Sequence, residues 1–309
     1  MQTSNKHIFI VTYDYPPSNG GIARLCFELK KYLEKKGLNV TVICPQSTST
    51  DAEEDNNVVR LHGRRGILEL RTLKYLRKKT VPGDIVITGN YHPEGMLSLL
   101  SNRETYILAH GAEYLAGKSF FRRCIWPTYR RFILRNASCV IANSHYTETL
   151  VKHCSPNAKT IAIPLAVDAI HFRPTCEKYK DGLLHLCSIS RLEKFKGHDF
   201  IIRTIASLPA KYKQQVRLHL GGKGKYKSAL ERMVTDLGLS DIVSFEGFID
   251  DNKLCDFYSA SHIFILCTRE EADNRNVEGY GLVFVRSASL WNRRYRYSYR
   301  WHSRCCRGE

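Results

Sequence analysis

The sequence lacks an apolar run near the ~18–20 residues that a bilayer-spanning helix needs. Its first apolar stretch, Ile8 to Val11, is too short for a signal-peptide core and soon meets Asp14 and two prolines, so the location expected is cytoplasmic. Internal repeats and low-complexity segments are also missing. Ten prolines and 20 glycines beside 43% hydrophobic residues exclude collagen-like and disordered chains. The eleven cysteines form no C-x-x-C pair, and Cys44, Cys139, Cys187 and Cys267 sit inside apolar runs as small hydrophobes do. That argues against a zinc or disulfide framework. Acidic side chains are scarce: 30 Asp and Glu face 47 Lys and Arg, a formal charge of +17. Such a balance suits an anionic partner, whether nucleic acid, a phosphorylated ligand or an anionic membrane surface.

What is present is a succession of buried-strand runs. At 309 residues there is room for two ordinary domains. H-I-F-I-V-T-Y reads as a strand, and a Pro/Gly loop follows. A helix then runs from about Ile22 to Lys36 with Leu25, Leu29 and Leu33 on one face, Gly37 stops it, and V-T-V-I-C-P is a second strand. This β-loop-α-β unit implies a parallel sheet. Further strands are expected at 84–88, 106–110, 139–143 and 160–164. A second series is expected at 183–189, 216–220, 242–245 and 262–266, with helices between most of them. The break falls near Pro164 to Pro174. The fold expected is α/β, with two Rossmann-like doubly wound halves. The first spans 1–168, the second and shorter spans 169–285, and an aberrant basic tail fills 286–309.

Five stretches carry candidate chemistry. Y-D-Y-P-P-S-N-G-G-I-A-R joins the first strand to the first helix, placing Gly20 and Gly21 at a helix N-terminus that favours an anion. No G-x-G-x-x-G fingerprint is present there, which counts against a dinucleotide dehydrogenase. S-I-S-R-L-E-K-F-K-G-H-D brings Arg191 and Lys196 off a strand end, where open α/β sheets bind ligands. Two fixed cations there could neutralise a diphosphate leaving group. H-L-G-G-K-G-K-Y offers Gly222 and Gly224 for close backbone approach to a phosphate or sugar. A-H-G-A-E puts His110 at a strand end. E-G-Y-G-L-V-F sets Glu278 before backbone amides that could face a sugar. Each admits a plainer reading: a flexible turn, a solvated charged loop, a structural histidine, a glycine-containing loop before a helix. Residues 119–135 mix Phe121, Ile125, Tyr129 and Phe132 with five arginines, and a mainly helical form would line those four along one side, although Pro127 would weaken or kink it. A basic amphipathic helix of that kind can lie on an anionic membrane, or be an ordinary surface helix.

Together these motifs resemble the retaining, nucleotide-sugar-dependent glycosyltransferases of GT-B fold, family 4 type, from about Ile8 to Val285. The most specific pieces are P-P-x-x-G-G, S-R-L-E-K-F-K-G and E-G-Y-G-L-V-F-V, in that order. P-L-A-V-D-A-I-H-F, with Asp168 and Phe172, looks like the family's crossing between domains. The resemblance implies that Arg191 and Lys196 hold the donor diphosphate and that Gly20 and Gly21 approach it. Glu278 would be the first glutamate of an E-x7-E motif near the donor sugar, ahead of Tyr280, Gly281 and Leu282. His110 would sit beside the reaction centre, and the segment 246–249, with Phe248 and Ile249, near the nucleobase. It implies a nucleotide-diphospho-sugar as substrate and neither cofactor nor metal, so Asp250-Asp251 reads as a helix start. The acceptor implied is a glycan, or one carried on a polyprenyl diphosphate, in surface polysaccharide synthesis. Residues 119–135 would supply a peripheral membrane contact. A sugar-nucleotide epimerase of similar fold, and a basic nucleic-acid-binding protein, are the alternatives. The second has no nucleic-acid motif to support it.

The resemblance stops at Arg286, where the motif's second glutamate belongs. The genetic code suggests why. Read one base late from that point, Trp291 and Trp301 must both become Gly, and suitable codons allow E-A-x-x-C-G-I-x-V-I-G-T-x-T-G-G-I-P-D-A-V-E, which resembles the family's continuation. Residues 286–309 are therefore expected to be a frameshifted tail with no strand or helix period. The second half would then lack its later strands, leave apolar edges open and be of doubtful activity.

Overall fold

Strands buried on both faces force a parallel sheet covered by helices on both sides, and two such sheets form. The computed structural model describes residues 6–18, 20–46, 55–115, 125–168, 170–269, 280–290 and 293–296. The chain divides into two compact units, Met1–Pro164 and Leu165–Glu309.

In the first unit β1 (Ile8–Val11), wholly buried, pairs in parallel with β2 (Val40–Pro45) and with β4 (Ile85–Thr88). β3 (Val58–Leu61), β5 (Glu104–Ala109), β6 (Cys139–Ala142) and β7 (Thr160–Ala162) complete seven strands in the order 3-2-1-4-5-6-7. Helix α1 (Gly21–Lys35) buries Ala23 and Cys26 against one face. It ends as expected at Gly37. With φ at +78°, Gly37 donates to the Glu34 carbonyl while Leu38 donates to that of Leu33. This paired bond uses a left-handed residue that glycine adopts without strain. Helix α2 (Ile67–Lys79) covers the other face, where Leu76 meets Phe9, Val11, Ile43 and Val86.

In the second unit β8 (Leu184–Ile189) lies between β9 (Val216–Gly221) and β11 (Ile263–Leu266), with β10 (Val243–Gly247) beyond β9. One face packs Leu218 and Leu220 against Ile201, Ile202 and Leu230. The other packs Phe264 against Tyr258 and Phe284, the last from a helix at Leu282–Ser289. That face also carries a polar chain. Asp181 accepts from the buried His185, whose Nδ1 lies 2.9 Å from His219 Nε2. His219 Nδ1 lies 3.1 Å from Glu246, and Tyr179 stacks on His185.

The tail differs from expectation. The last helix extends past Val285 to Ser289, and Arg293–Arg296 forms β12, paired in parallel with β11 from Ile263↔Arg293 to Leu266↔Arg296. The β11 edge is therefore covered, not open.

Each sheet reverses its winding once, between β1 and β4 and between β8 and β11. The crevice at the C-terminal ends of those strands is where open α/β sheets bind ligands.

Phe284 anchors the last helix, its ring 5.3 Å from Phe264 at 82°. Phe284→Ala should cost about 3–5 kcal/mol in the second unit, measured by urea unfolding. A cost below about 1 kcal/mol would mean the helix is not docked.

Candidate functional site

In the first unit the loop after β1 is folded around Asp14. Ser18 Oγ donates to Asp14 Oδ1 at 2.5 Å, and a Cβ on Gly20 would lie 2.3 Å from Asp14 Oδ2. Around Gly21, by contrast, the space is open. Beneath the loop the Tyr13 backbone N–H donates to Glu94 Oε1 at 3.1 Å. Glu94 is only 4% exposed, and its Oε2 is buried with no partner among the described residues. Burial pushes its carboxyl up to about 7.

His110 follows β5. Its Nε2 lies 2.7 Å from the Gly89 carbonyl at the end of β4, and a carbonyl only accepts. The proton therefore sits on Nε2, leaving Nδ1 as the basic nitrogen of the neutral ring. Glu113 accepts from the His110 backbone N–H at 2.6 Å and Asn143 Nδ2 donates to its carbonyl, so the residue is tied to β4 and β6.

In the second unit the loop after β8 carries both expected cations. Arg191 is exposed and reaches Glu193 at 3.1 Å, and Lys196 Nζ lies 4.9 Å from the Phe195 ring. What shapes the loop is backbone contact. Gly197 has φ +76°, and a Cβ there would lie 1.8 Å from the Cys267 carbonyl oxygen of the loop after β11. Arg269 on that second loop donates its backbone N–H to the Phe195 carbonyl and its Nη2 to Asp199 at 2.8 Å. The two loops that flank the winding reversal are thus locked together. His198 is fully buried beneath them, its Nε2 3.3 Å from Ser190 Oγ and its Nδ1 without a partner among the described residues. Burial, reinforced by Lys196, lowers it to about 4, so the ring is uncharged near neutral pH.

Gly222 and Gly224 were expected to let a ligand approach the backbone. Here a Cβ on Gly222 would lie 1.9 Å from the Ser190 carbonyl oxygen and one on Gly224 2.2 Å from that of Leu192. The chain's own backbone fills both spaces, and the Lys223 carbonyl accepts from Leu192 N–H at 2.9 Å. Phe248, at the end of β10, is 51% exposed with Lys223 Nζ 5.5 Å from its ring centre, while Ile249 packs toward Gly221. Asp250-Asp251 does open a helix, with Asp250 at its N-cap. Glu278 lies outside the described residues. Tyr280 and Gly281 precede the helix that Leu282 begins, whose first turn has no side-chain cap. Arg286, in place of the expected second glutamate, sits with its guanidinium 5.2 Å from the Phe172 ring.

The basic segment departs from its expected pattern. Residues 119–124, with Phe121, lie outside the described residues. A helix runs from Trp126 to Asn136 with Pro127 in its first turn, where proline is tolerated, so it does not kink the helix. Tyr129 bonds inward to His92 at 2.8 Å and Arg130 is buried against the Tyr114 carbonyl. Ile125 and Phe132 are more than half exposed, beside exposed Arg131 and Arg135. Of the described three, Tyr129 is held inward while Ile125 and Phe132 are exposed. The Asp199–Arg269 lock and the buried Glu94 carried no local sequence signal.

These contacts set two opposed pH dependences. Glu94 has a folded pKa above its ordinary 4.5, so the fold holds a proton that the unfolded chain releases. First-unit stability should fall as pH rises from 4.5 to 7, by on the order of 3 kcal/mol. Glu94→Gln, which keeps the acceptor for Tyr13, should abolish that slope. His198 has a folded pKa below its ordinary 6.5, so second-unit stability should fall as pH drops from 6.5 to 4, by a similar amount. Denaturant unfolding of wild type, Glu94→Gln and His198→Gln at pH 5 and 8 checks both signs. Gly197→Ala should cost at least about 2–3 kcal/mol, because the opposing carbonyl cannot yield. An unchanged midpoint in the same experiment would contradict the loop contact.

The comparisons agree with this geometry. A model of Glycosyltransferase Family 4 matches residues 19–170, and one of Glycosyl transferases group 1 matches residues 177–288. The chain is 26% identical to a GDP-mannose-dependent alpha-(1-6)-phosphatidylinositol monomannoside mannosyltransferase of Mycolicibacterium smegmatis, over 91% of this chain and 78% of that one. It is 23% identical to an alpha-monoglucosyldiacylglycerol synthase of Streptococcus pneumoniae, over 91% and 68%. Among solved structures, the sucrose-phosphate synthase of Thermosynechococcus elongatus superposes with a TM-score of 0.74 at 20% identity, covering 94% of this chain and 81% of that one. HepE of Anabaena, solved with UDP-glucose, superposes at 0.69 and 18%, covering 94% and 80%. With two glycosyltransferase models matching in succession from residue 19 to residue 288, on two doubly wound sheets, the chain belongs to the nucleotide-sugar-dependent glycosyltransferases of GT-B type.

Proposed function

We propose that the chain descends from, and is built as, an enzyme that moves a sugar from a nucleotide-diphospho-sugar to a glycan or lipid-linked acceptor with retained anomeric configuration, in surface polysaccharide synthesis. The observation that carries the reading is the pair of cations, Arg191 and Lys196, on a loop locked to its neighbour at the winding reversal of the second sheet. A diphosphate leaving group gains negative charge as the glycosidic bond to it breaks. Cations already fixed in place stabilise that charge without reorganising. Arg191 offers a planar fork to two phosphate oxygens and Lys196 a compact charge, a role needing no divalent metal. The amides that open the helix at Leu282, with Tyr280, Gly281 and Glu278, would hold the donor sugar. Phe248 and Ile249 would flank the base. Open space at Gly21 beside Gly20 supports diphosphate approach at the first helix, and His110 Nδ1 would face the acceptor. The relatives named for GDP-mannose and the neighbour solved with UDP-glucose leave guanosine and uridine as the donor bases to try. Two of the relatives are named for lipids, a phosphatidylinositol monomannoside and a monoglucosyldiacylglycerol. Exposed Ile125 and Phe132 beside Arg131 and Arg135 support peripheral contact with an anionic membrane where such an acceptor resides. No helix among the described residues is long and apolar enough to cross a membrane.

We also retain the proposal that residues 286–309 are out of frame. The donor machinery would then lack the second glutamate and a glycine loop, and activity would be impaired.

Thermal stabilisation by UDP and GDP tests these claims on this chain and on a version with the frame restored after Val285. The restored protein should be stabilised by one nucleotide, this chain less or not at all. Arg191→Gln or Lys196→Gln in the restored protein should weaken binding about tenfold or more. Equal binding by both proteins would refute the impairment. Binding unchanged by either substitution would refute the diphosphate role. Proton NMR of the product anomer checks retention.

A further inference from the structure

A cavity of about 320 Å³ opens in the first unit at the C-terminal ends of β1, β2 and β3. None of the donor-site residues line it. Its walls include Tyr13, Tyr15, Ser18, Pro45, Gln46 and Arg60. Small-ligand sites begin at about 300 Å³, so the volume suits one sugar ring, not a chain of them or a lipid tail.

The chemistry of the walls is specific. Arg60, near the end of β3, is held by its Nη2 donating to the Pro16 carbonyl at 3.0 Å, with Nη1 3.7 Å from Cys44 Sγ. Its guanidinium is thereby a positioned fork, the group best shaped for a carboxylate or phosphate. Tyr15 is 7% exposed and lines the cavity. Burial holds its pKa well above the ordinary value, so it remains an O–H donor. Tyr13, whose hydroxyl lies 3.3 Å from Thr72 Oγ1, adds an aromatic wall, and Gln46 and Ser18 add polar edges.

Beside burial, Asp55 and Glu34 raise the Tyr15 hydroxyl, and both are paired with the buried Lys30, at 2.7 and 2.8 Å. Asp14 is engaged by Ser18. Arg64 and Arg65, exposed in the turn between β3 and α2, lie at the same end of the sheet.

We propose that this cavity is a subsite for an acidic sugar, a single pyranose carrying a carboxylate or a phosphate, with Arg60 clasping the anion and Tyr15 a ring hydroxyl. As an acceptor subsite it rests on the glycosyltransferase reading; as a binding site it does not.

Saturation-transfer NMR and calorimetry on the full chain, with glucuronate, glucose 6-phosphate, glucose and inorganic phosphate as probes, test it. At least one acidic sugar should bind saturably, and more tightly than both glucose and inorganic phosphate. Which of the two binds identifies the anion. Arg60→Gln should weaken it about tenfold or more, and Arg60→Lys should restore only part of the loss. Tyr15→Phe, which keeps the ring and the packing, should weaken it about threefold or more. Circular dichroism confirms that each variant is folded. Inorganic phosphate binding as tightly as glucose 6-phosphate, glucose binding as tightly as glucuronate, or full affinity in Tyr15→Phe and Arg60→Gln, would overturn the assignment. Acidic-sugar binding in a protein that UDP and GDP fail to stabilise would leave this site standing while the donor chemistry fell.

Discussion

Three carbonyl oxygens, those of Ser190, Leu192 and Cys267, occupy the places where side chains would begin at positions 222, 224 and 197. The second unit depends on this constraint. It lets the loops after β8, β9 and β11 interleave at backbone distance, and it leaves no tolerance for a methyl group at any of the three glycines. The Asp199–Arg269 pair and the bond from Arg269 N–H to the Phe195 carbonyl then close the arrangement from its outer side. A flexible lysine on an open loop would spread its charge over many positions. Between these contacts Lys196 emerges from a defined turn, and positioning of that kind is what electrostatic stabilisation of a leaving group requires.

Much of this was legible. Runs such as I-F-I-V and V-I-C-P are too uniformly apolar to be anything but strands buried on both faces, and the loops joining them to helices are where the site residues lie. The purpose of Gly222 and Gly224 was not legible, because glycine has the same signature whether the approaching backbone is a ligand's neighbour or the chain's own. β3 was missed because V-V-R-L is short and carries an arginine, which the structure turns into a cavity wall. In the described part of 119–135, a helix from Trp126 to Asn136, Arg130 is buried and Phe132 exposed, because the neighbouring chain and not apolar spacing decides which side chains pack inward. Asp199 and Arg269 are seventy positions apart, beyond any local pattern.

The buried charges divide the labour between units. Glu94 supports the loop after β1 from below and is easiest to bury when protonated; His198 supports the loop after β8 and is easiest to bury when neutral. Both sit beneath strand-end turns, where a charged side chain would be poorly solvated and a purely apolar one would leave a polar neighbour unmatched. With the many surface cations, they show how a strongly basic chain keeps its interior nearly free of uncompensated charge.

The packing of the last helix and of β12 rests on contacts that depend little on sequence. The helix from Leu282 to Ser289 is fixed mainly by its first turn, where Phe284 docks against Phe264, and Arg286 lies beyond that anchor. A cation near a helix C-terminus is also favoured by the dipole, so an arginine there costs the fold little. β12 adds to β11 through backbone hydrogen bonds, which any non-proline sequence can make along an open edge. Both elements are what a generic chain would form when presented with an unfilled helix face and an unpaired strand. The distinction lies in chemistry. At the position beside Phe172 a glutamate could accept hydrogen bonds, whereas the guanidinium of Arg286 only donates.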